Sequence, residues 1–248
     1  MSSLFHNLGR KVGPTVRKAK WIWQSVTGSE AGAIKVENQV GHDLATEIKK
    51  QLKLDREHQS ARILNEIGPN LTKCVARKLR TFNFEIVKSD EPNAFALPGG
   101  FIFITHSLVE LCDRNQDELA FILGHEMGHV IRGHAMKRIL SNSAINVASH
   151  AVSIHGQFTA WLQKVGIQFL ESAYSQELEF QADKLGVCLA DTAGYDPNAS
   201  KQLLKRLNKL TSSDTEFVLA NYFSSHPSFE MRISNINQFL QKTGINKL

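Results

Sequence analysis

The feature that most constrains this chain of 248 residues is the run His125-Glu126-Met127-Gly128-His129, the H-E-x-x-H pattern. In an α-helix, residues four apart lie on one face, so His125 and His129 present their imidazoles together. Two such nitrogens can bind one Zn²⁺ and leave room for a third protein ligand and a water. Glu126 can reach that water without ligating the metal. The pattern therefore predicts a zinc-binding helix; the alternative is an ordinary histidine pair on an amphipathic helix.

The flanking residues favour one helix through the stretch 115–137. Asn115 and Glu118 have the spacing of a capping box. Apolar residues behind the histidines give the helix a buried side, namely Leu119, Ile122 and Leu123. His134 lies nine residues after His125, which is about 180° around a continuous helix. We therefore expect His134 at the far end of the helix or as a partner of a ligand, and not as a ligand itself.

A third zinc ligand must come from elsewhere in the chain. A metzincin has Gly three and His six residues after the second histidine, but those positions hold Arg132 and Ala135. Glu179 and Asp183 are four residues apart and share a helix face. One of these carboxylates can bind zinc while the other accepts the free N–H of a ligating histidine. The alternative is an acidic helix face in contact with solvent.

Four stretches of the chain occur together in a recognisable order. They are NAFALPGG at 93–100, HEMGHV at 125–130, ELEFQAD at 177–183, and His226-Pro227 followed by Arg232-Ile233. Together they resemble the CAAX prenyl protease/HtpX-like family of zinc metallopeptidases, in a branch without membrane helices. The resemblance implies a gluzincin site with His125, His129 and Glu179 on one Zn²⁺ per chain. It also implies Glu126 as the base and Asp183 as the residue that orients a ligand.

The resemblance assigns roles to two further regions. It makes the strand of Asn93, Ala94, Phe95 and Ala96 the sheet edge over the zinc cleft, where unpaired backbone groups can take an extended peptide. From the residues alone, this segment is a partly exposed strand in an ordinary hairpin. His226 would lie near the metal in one of two roles: a catalytic hydrogen-bond donor to the tetrahedral intermediate, or a reversible zinc ligand that blocks the water position. Three other protein ligands already match a catalytic site with one open position, which favours the donor role. Arg232 would pair with an acid and hold that segment.

Hydrophobic periodicity predicts an α+β fold that is mostly helical. The resemblance implies a zincin-like single domain with a small mixed sheet whose edge strand borders the zinc cleft. A helix is expected over 37–54, and a second helix is expected to be kinked or interrupted at Gly68-Pro69. Alternation at Phe82, Phe84 and Ile86 predicts a strand. Further helices are expected in the second half of 141–174, after Asp196-Pro197, and from about residue 229.

The excess positive charge lies near the N-terminus. Five of the 29 Lys and Arg residues lie within 1–29, which contains no acid, leaving 24 basic against 24 acidic residues. We therefore divide the chain into a basic tail or strap, 1–36, and a peptidase domain, 37–248, and expect no nucleic-acid binding. The tail suits a strap packing on the domain or a peripheral membrane contact through residues 1–30. A mitochondrial transit peptide stays open as well.

Two observations bear on location. No run approaches the 18 apolar residues of a transmembrane helix. Three widely spaced cysteines favour a reducing compartment, so we expect a cytoplasmic protein, with or without membrane association.

These observations predict a zinc-dependent metalloendopeptidase that hydrolyses internal bonds of unfolded or damaged proteins. A zinc-bound water has a pKa of about 7, and Glu126 would take its proton and pass it to the leaving amine. One alternative is a catalytically latent zinc protein that binds peptides like a chaperone, and the intact Glu126 argues against it. Another is a zinc hydrolase with a non-peptide substrate, and the predicted edge strand argues against that.

Overall fold

The computed structural model describes residues 30–55, 59–76, 79–142, 174–211, 226 and 229–245. Within these ranges the order of elements is α1 (Glu30–Gln51), α2 (Gln59–Cys74), β1 (Asn83–Val87), β2 (Ala94–Leu97), β3 (Phe101–Thr105), α3 (His106–Leu111), α4 (Gln116–Ile131), α5 (His134–Asn142), α6 (Gln176–Thr192), α7 (Ala199–Thr211) and α8 (Phe229–Thr243). This confirms the predicted α+β class, mostly helical with a small sheet. Residues 1–29 of the basic tail and the helix expected in the second half of 141–174 lie outside the described residues, whereas residues 30–36 of that tail belong to α1.

The sheet is mixed and has three strands in the order β1-β3-β2. β1 runs parallel to β3, with Phe84 opposite Ile102, and β2 runs antiparallel to β3, with Phe95 opposite Phe103. A 3₁₀ turn at Pro98–Gly100 joins β2 to β3, as the hairpin prediction requires. Among the described residues β2 pairs with β3 alone, so it forms one edge of the sheet.

Helices cover both faces of this sheet. On one face Phe95, Leu97 and Phe103 pack with residues of α1. On the other face Ala94 and Ala96 join the larger core built by α2, α4, α6, α7 and α8. All four residues of β2 are therefore buried, and the prediction of a partly exposed strand is wrong.

Three helix boundaries differ from the predictions. α1 begins at Glu30, seven residues before the expected start of the domain. α2 continues through Pro69 without interruption. The residue before a proline normally clashes with its ring through Cβ, and Gly68 has no Cβ. α7 begins at Ala199 rather than Pro197, because the Asp196 carboxylate accepts the backbone N–H of Asn198 in a turn before the helix.

The histidine-bearing helix is shorter than predicted. Asn115 caps it as expected, its side chain accepting the backbone N–H groups of Asp117 and Glu118. The Glu118 side chain pairs with Arg206 of α7. The helix ends at Ile131, Gly133 turns the chain with a φ of 69°, and His134 opens α5. The single helix predicted over 115–137 is therefore two helices. No helix in the described part of the chain is long and apolar enough to cross a membrane.

Candidate metal centre

The centre is built where α4 and α6 cross at close range. A Cβ placed on Gly186 of α6 would lie 2.8 Å from the backbone nitrogen of His125, and one on Gly128 of α4 would lie 2.9 Å from the carbonyl oxygen of Ala182. Glycine at both positions lets the two backbones approach each other. This close crossing places the face of α4 that carries His125 and His129 against the face of α6 that carries Glu179.

Four buried side chains converge at this crossing. His125, His129, Glu179 and His226 each offer one potential ligand atom, and these atoms all lie within 4.8 Å of one another. His129 Nε2 is 3.1 Å from His125 Nε2 and 3.2 Å from a Glu179 carboxylate oxygen. His226 Nδ1 is 3.1 Å from Glu179 and 3.4 Å from His125 Nε2. The structure thus brings together the three predicted ligands and His226.

The donor set and its spacing fit a zinc ion. Zinc binds imidazole nitrogen and carboxylate oxygen at about 2.0–2.2 Å in tetrahedral sites, which separates the ligand atoms by roughly 3.3–3.6 Å. The separations among the four side chains run from 3.1 Å to 3.6 Å where they are in contact. The cluster can therefore hold a metal ion of this kind.

His125 is held from behind by a charged pair. Its Nδ1 lies 2.8 Å from a carboxylate oxygen of Asp183. Arg232 of α8 donates to both oxygens of that carboxylate, at 2.6 Å and 2.9 Å, and its Nη1 lies 3.3 Å from Glu179. Arg232 is fully buried. The expected pairing of Arg232 with an acid is present, and it includes two acids rather than one.

His129 is held from the opposite side by other groups. His134 Nδ1 lies 3.2 Å from His129 Nδ1. The Tyr174 ring stacks on the His129 ring, with centroids 3.9 Å apart and planes 19° apart. The guanidinium of Arg138 lies 4.2 Å from the Tyr174 ring centroid. Of the two places expected for His134, the structure shows the one beside a ligand.

Tyr174 and Arg138 were missed by sequence reasoning. Tyr174 directly precedes Ser175, the N-cap of α6. An apolar residue at that position commonly packs at the helix start. The sequence therefore carried a signal for packing at Tyr174, but none for which ring it meets.

Glu126 lies buried beside the four-residue cluster, with a carboxylate oxygen 3.5 Å from His226 Nε2. Burial raises the pKa of Glu126, although the charges of His226 and His125 oppose the increase. A carboxylate with a raised pKa accepts a proton more readily near neutral pH. The position and the pKa direction both suit a general base.

The protonation states of His129 and Glu179 suit metal binding, whereas the raised pKa of His226 favours its protonated form, which does not bind a metal. Burial lowers the pKa of His129 well below its ordinary value, which leaves the imidazole neutral. Burial alone would raise the pKa of Glu179, but the charges of His226 and Arg232 outweigh it and hold that pKa well below its usual range. For His226, burial is likewise outweighed, in this case by Glu179, and its pKa is raised. Neutral histidine and ionised carboxylate are the forms that bind metals.

The predicted substrate strand lies against the histidine helix. β2 packs on α4 and contacts α5. Asn93, which precedes β2, exchanges hydrogen bonds with Thr105: the Asn93 N–H donates to the threonine hydroxyl and the Thr105 N–H to the Asn93 carbonyl, both at 2.8 Å. The Asn93 side-chain oxygen is buried and has no hydrogen-bond partner among the described residues.

The sequence is similar to known peptidases. The family described as Peptidase family M48 matches residues 58–240. The mitochondrial metalloendopeptidase OMA1 of Schizosaccharomyces pombe is 28% identical over 170 residues, or 67% of this chain and 49% of that protein. OMA1 of Arabidopsis thaliana is 30% identical over 156 residues, or 62% of this chain and 31% of that protein. The metalloprotease LoiP of Escherichia coli is 28% identical over 188 residues, or 74% of this chain and 70% of that protein. The chain thus spans less than half of the length of the two mitochondrial relatives.

Proposed function

The chain belongs to peptidase family M48, and from this premise we propose that it is a zinc-dependent metalloendopeptidase that hydrolyses internal peptide bonds of unfolded or damaged proteins. One observation carries the proposal. Glu126 lies buried directly beside a cluster of His125, His129, Glu179 and His226 whose spacing suits zinc. A cleft that only bound peptides would not need a carboxylate at that place.

In this proposal His125, His129 and Glu179 hold one Zn²⁺ per chain. When bound, zinc would act as a Lewis acid that lowers the pKa of water and polarises the scissile carbonyl. A carboxylate oxygen of Glu126 accepts a proton from the attacking water and later returns it to the leaving amine. Asp183 keeps His125 in the tautomer whose Nδ1 carries hydrogen, because the Asp183 carboxylate can only accept that bond. Arg232 holds the Asp183 carboxylate in place.

His226 retains its two predicted roles, and its contacts support the role of a reversible ligand. A donor to the tetrahedral intermediate would have to leave the fourth position open for water. His226 Nδ1 lies 3.4 Å from His125 Nε2 and 3.1 Å from Glu179, a distance at which it could share a metal with them, and this supports the ligand role. Replacing His226 with Phe should therefore raise cleavage, whereas loss of cleavage with zinc retained would support the donor role.

We propose that the substrate enters as an extended strand beside β2. Among the described residues β2 pairs with β3 alone and packs on the helix that carries His125 and His129, which supports this. The buried side-chain oxygen of Asn93, which has no hydrogen-bond partner in that part of the chain, supports it as well. The CAAX prenyl protease/HtpX-like branch within the family, a cytoplasmic location and membrane contact through residues 1–30 stay proposals. The similarity to the mitochondrial metalloendopeptidases OMA1 supports the mitochondrial alternative for location.

The test is Glu126→Gln in the full chain, assayed for zinc content and for casein cleavage. Glutamine keeps the shape of the side chain but cannot accept the proton, so zinc and fold should be retained while cleavage falls below detection. Lys184→Ala, an exposed change on α6, is the matched control and should cleave at the original rate. Cleavage retained by Glu126→Gln would overturn the assignment of the base.

A further inference from the structure

We infer that His134 is a positioning residue, whose neutral imidazole accepts the Nδ1–H of His129 and so leaves His129 Nε2 free for the metal. The inference rests on the proposed zinc site. It gives His129 a partner of a different chemical kind from the one that holds His125.

The geometry requires a hydrogen bond between two imidazoles. The Nδ1 atoms of His129 and His134 are 3.2 Å apart, and the two rings lie nearly perpendicular, at 69°. Both residues are buried, with relative exposures of 0% and 1%. A neutral imidazole has one nitrogen that donates and one that accepts. At this separation one Nδ1 must carry hydrogen while the other offers a lone pair.

The direction of this bond follows from the other end of His129. His129 Nε2 faces His125 Nε2 and Glu179. A nitrogen that binds a metal must have its lone pair free, so in His129 the hydrogen has to be on Nδ1. The Nδ1 of His134 is then the acceptor, and His134 carries its own hydrogen on Nε2.

The surrounding residues shield this hydrogen bond from solvent. His134 is the first residue of α5 and reaches His129 because Gly133 turns the chain back after α4. Tyr174 covers the His129 ring at 3.9 Å and lies 6.2 Å from the His134 ring. A hydrogen bond shielded from water in this way is stronger and more costly to lose.

The two ligand histidines therefore have unlike partners. His125 donates to the Asp183 carboxylate, which Arg232 reinforces, and a carboxylate acceptor makes the imidazole a more basic ligand. His129 donates to a neutral ring, which fixes orientation and tautomer with less effect on basicity. Loss of such a partner typically lowers metal affinity by about 10–100-fold.

The experiment compares His134→Leu with His134→Asn in the full chain, measuring Zn²⁺ affinity by competition with a chelator. Leucine removes the acceptor, so affinity should fall by about 10–100-fold. The side-chain oxygen of asparagine can take the place of Nδ1, so this variant should recover most of the affinity. Tyr174→Leu is the matched control: it removes the covering ring but keeps the acceptor, and it should weaken zinc binding less than His134→Leu does.

A second measurement does not depend on cleavage. Nitrogen-15 NMR of the zinc-bound wild-type protein should show hydrogen on His129 Nδ1 and on His134 Nε2. The opposite tautomers, or equal loss of zinc affinity in the Leu and Asn variants, would overturn the inference and leave only a packing role. A wild-type protein that binds zinc with these tautomers but cleaves nothing would refute the proposed function while supporting the role of His134.

Discussion

Replacing Gly186 with alanine tests whether the close crossing of α4 and α6 assembles the centre. The added Cβ would lie 2.8 Å from the backbone nitrogen and 3.1 Å from the Cα of His125. Ordinary contacts of this kind begin at 3.4 Å, so the helices must separate by about 0.6 Å at this point. Backbone atoms cannot rotate away as a side chain can. The methyl group therefore moves α6, with Glu179 and Asp183 on it, away from the histidines.

Two opposing contributions set the change in stability of Gly186→Ala. Overpacking a core costs about 1–3 kcal/mol, and alanine in place of glycine returns about 1 kcal/mol of helix propensity. The net loss is about 0–2 kcal/mol, or a Tm lower by about 0–8 °C in a domain of this size. Activity should suffer more. A misplacement of about 1 Å can cost on the order of 100-fold in rate, so a shift of about half that distance should cost on the order of tenfold.

The assay is casein cleavage at saturating zinc, together with thermal unfolding. Gly128→Ala should behave like Gly186→Ala, since its Cβ meets Ala182 from the other side of the crossing. Lys184→Ala on the exposed side of α6 should change neither measurement. Full activity with a raised Tm in Gly186→Ala would refute the reasoning, because it would mean that the helices take up a methyl group without moving apart.

Three further predictions concern the ligands, the buried arginine and the tail. Glu179→Ala should lose most bound zinc by elemental analysis, and full occupancy would remove Glu179 from the ligand set. Arg232→Leu leaves the buried Asp183 and Glu179 without their counter-charge and should lower the free energy of unfolding in urea by about 3–5 kcal/mol; a loss below about 1 kcal/mol would show that the pairing contributes little. Removing residues 1–29, which precede α1, should leave zinc binding intact; weaker binding to anionic vesicles than the full chain shows would support the membrane role, and equal, negligible binding would support the strap.

The parts of the centre that follow local periodicity could be predicted from the sequence. His125 and His129 share a face because they are four residues apart in one helix, and Glu179 and Asp183 do so for the same reason. The same rule failed for His134. An angle of about 180° applies only to a continuous helix, and Gly133 ends that continuity between Ile131 and His134.

The burial of β2 could also have been predicted from the sequence. Its residues Ala94, Phe95, Ala96 and Leu97 are all apolar, which is the pattern of a strand covered on both faces rather than on one. The residues that Arg232 and Tyr174 contact could not be predicted from a local sequence pattern. Arg232 meets Asp183 across 49 positions of sequence, and contacts of that kind depend on how whole helices pack, which no local pattern specifies.

The centre draws on residues that the ribosome makes far apart in time. His125 and Arg232 are in contact across 107 positions, and His125 and His226 across 101. While the segment after α7 is still being synthesised, α4 and α6 can cross, but the Asp183 carboxylate has no guanidinium and the fourth nitrogen is absent. Until α8 has been made, the Asp183 carboxylate that orients His125 therefore lacks its buried counter-charge, and the site also lacks the imidazole that would block its fourth position.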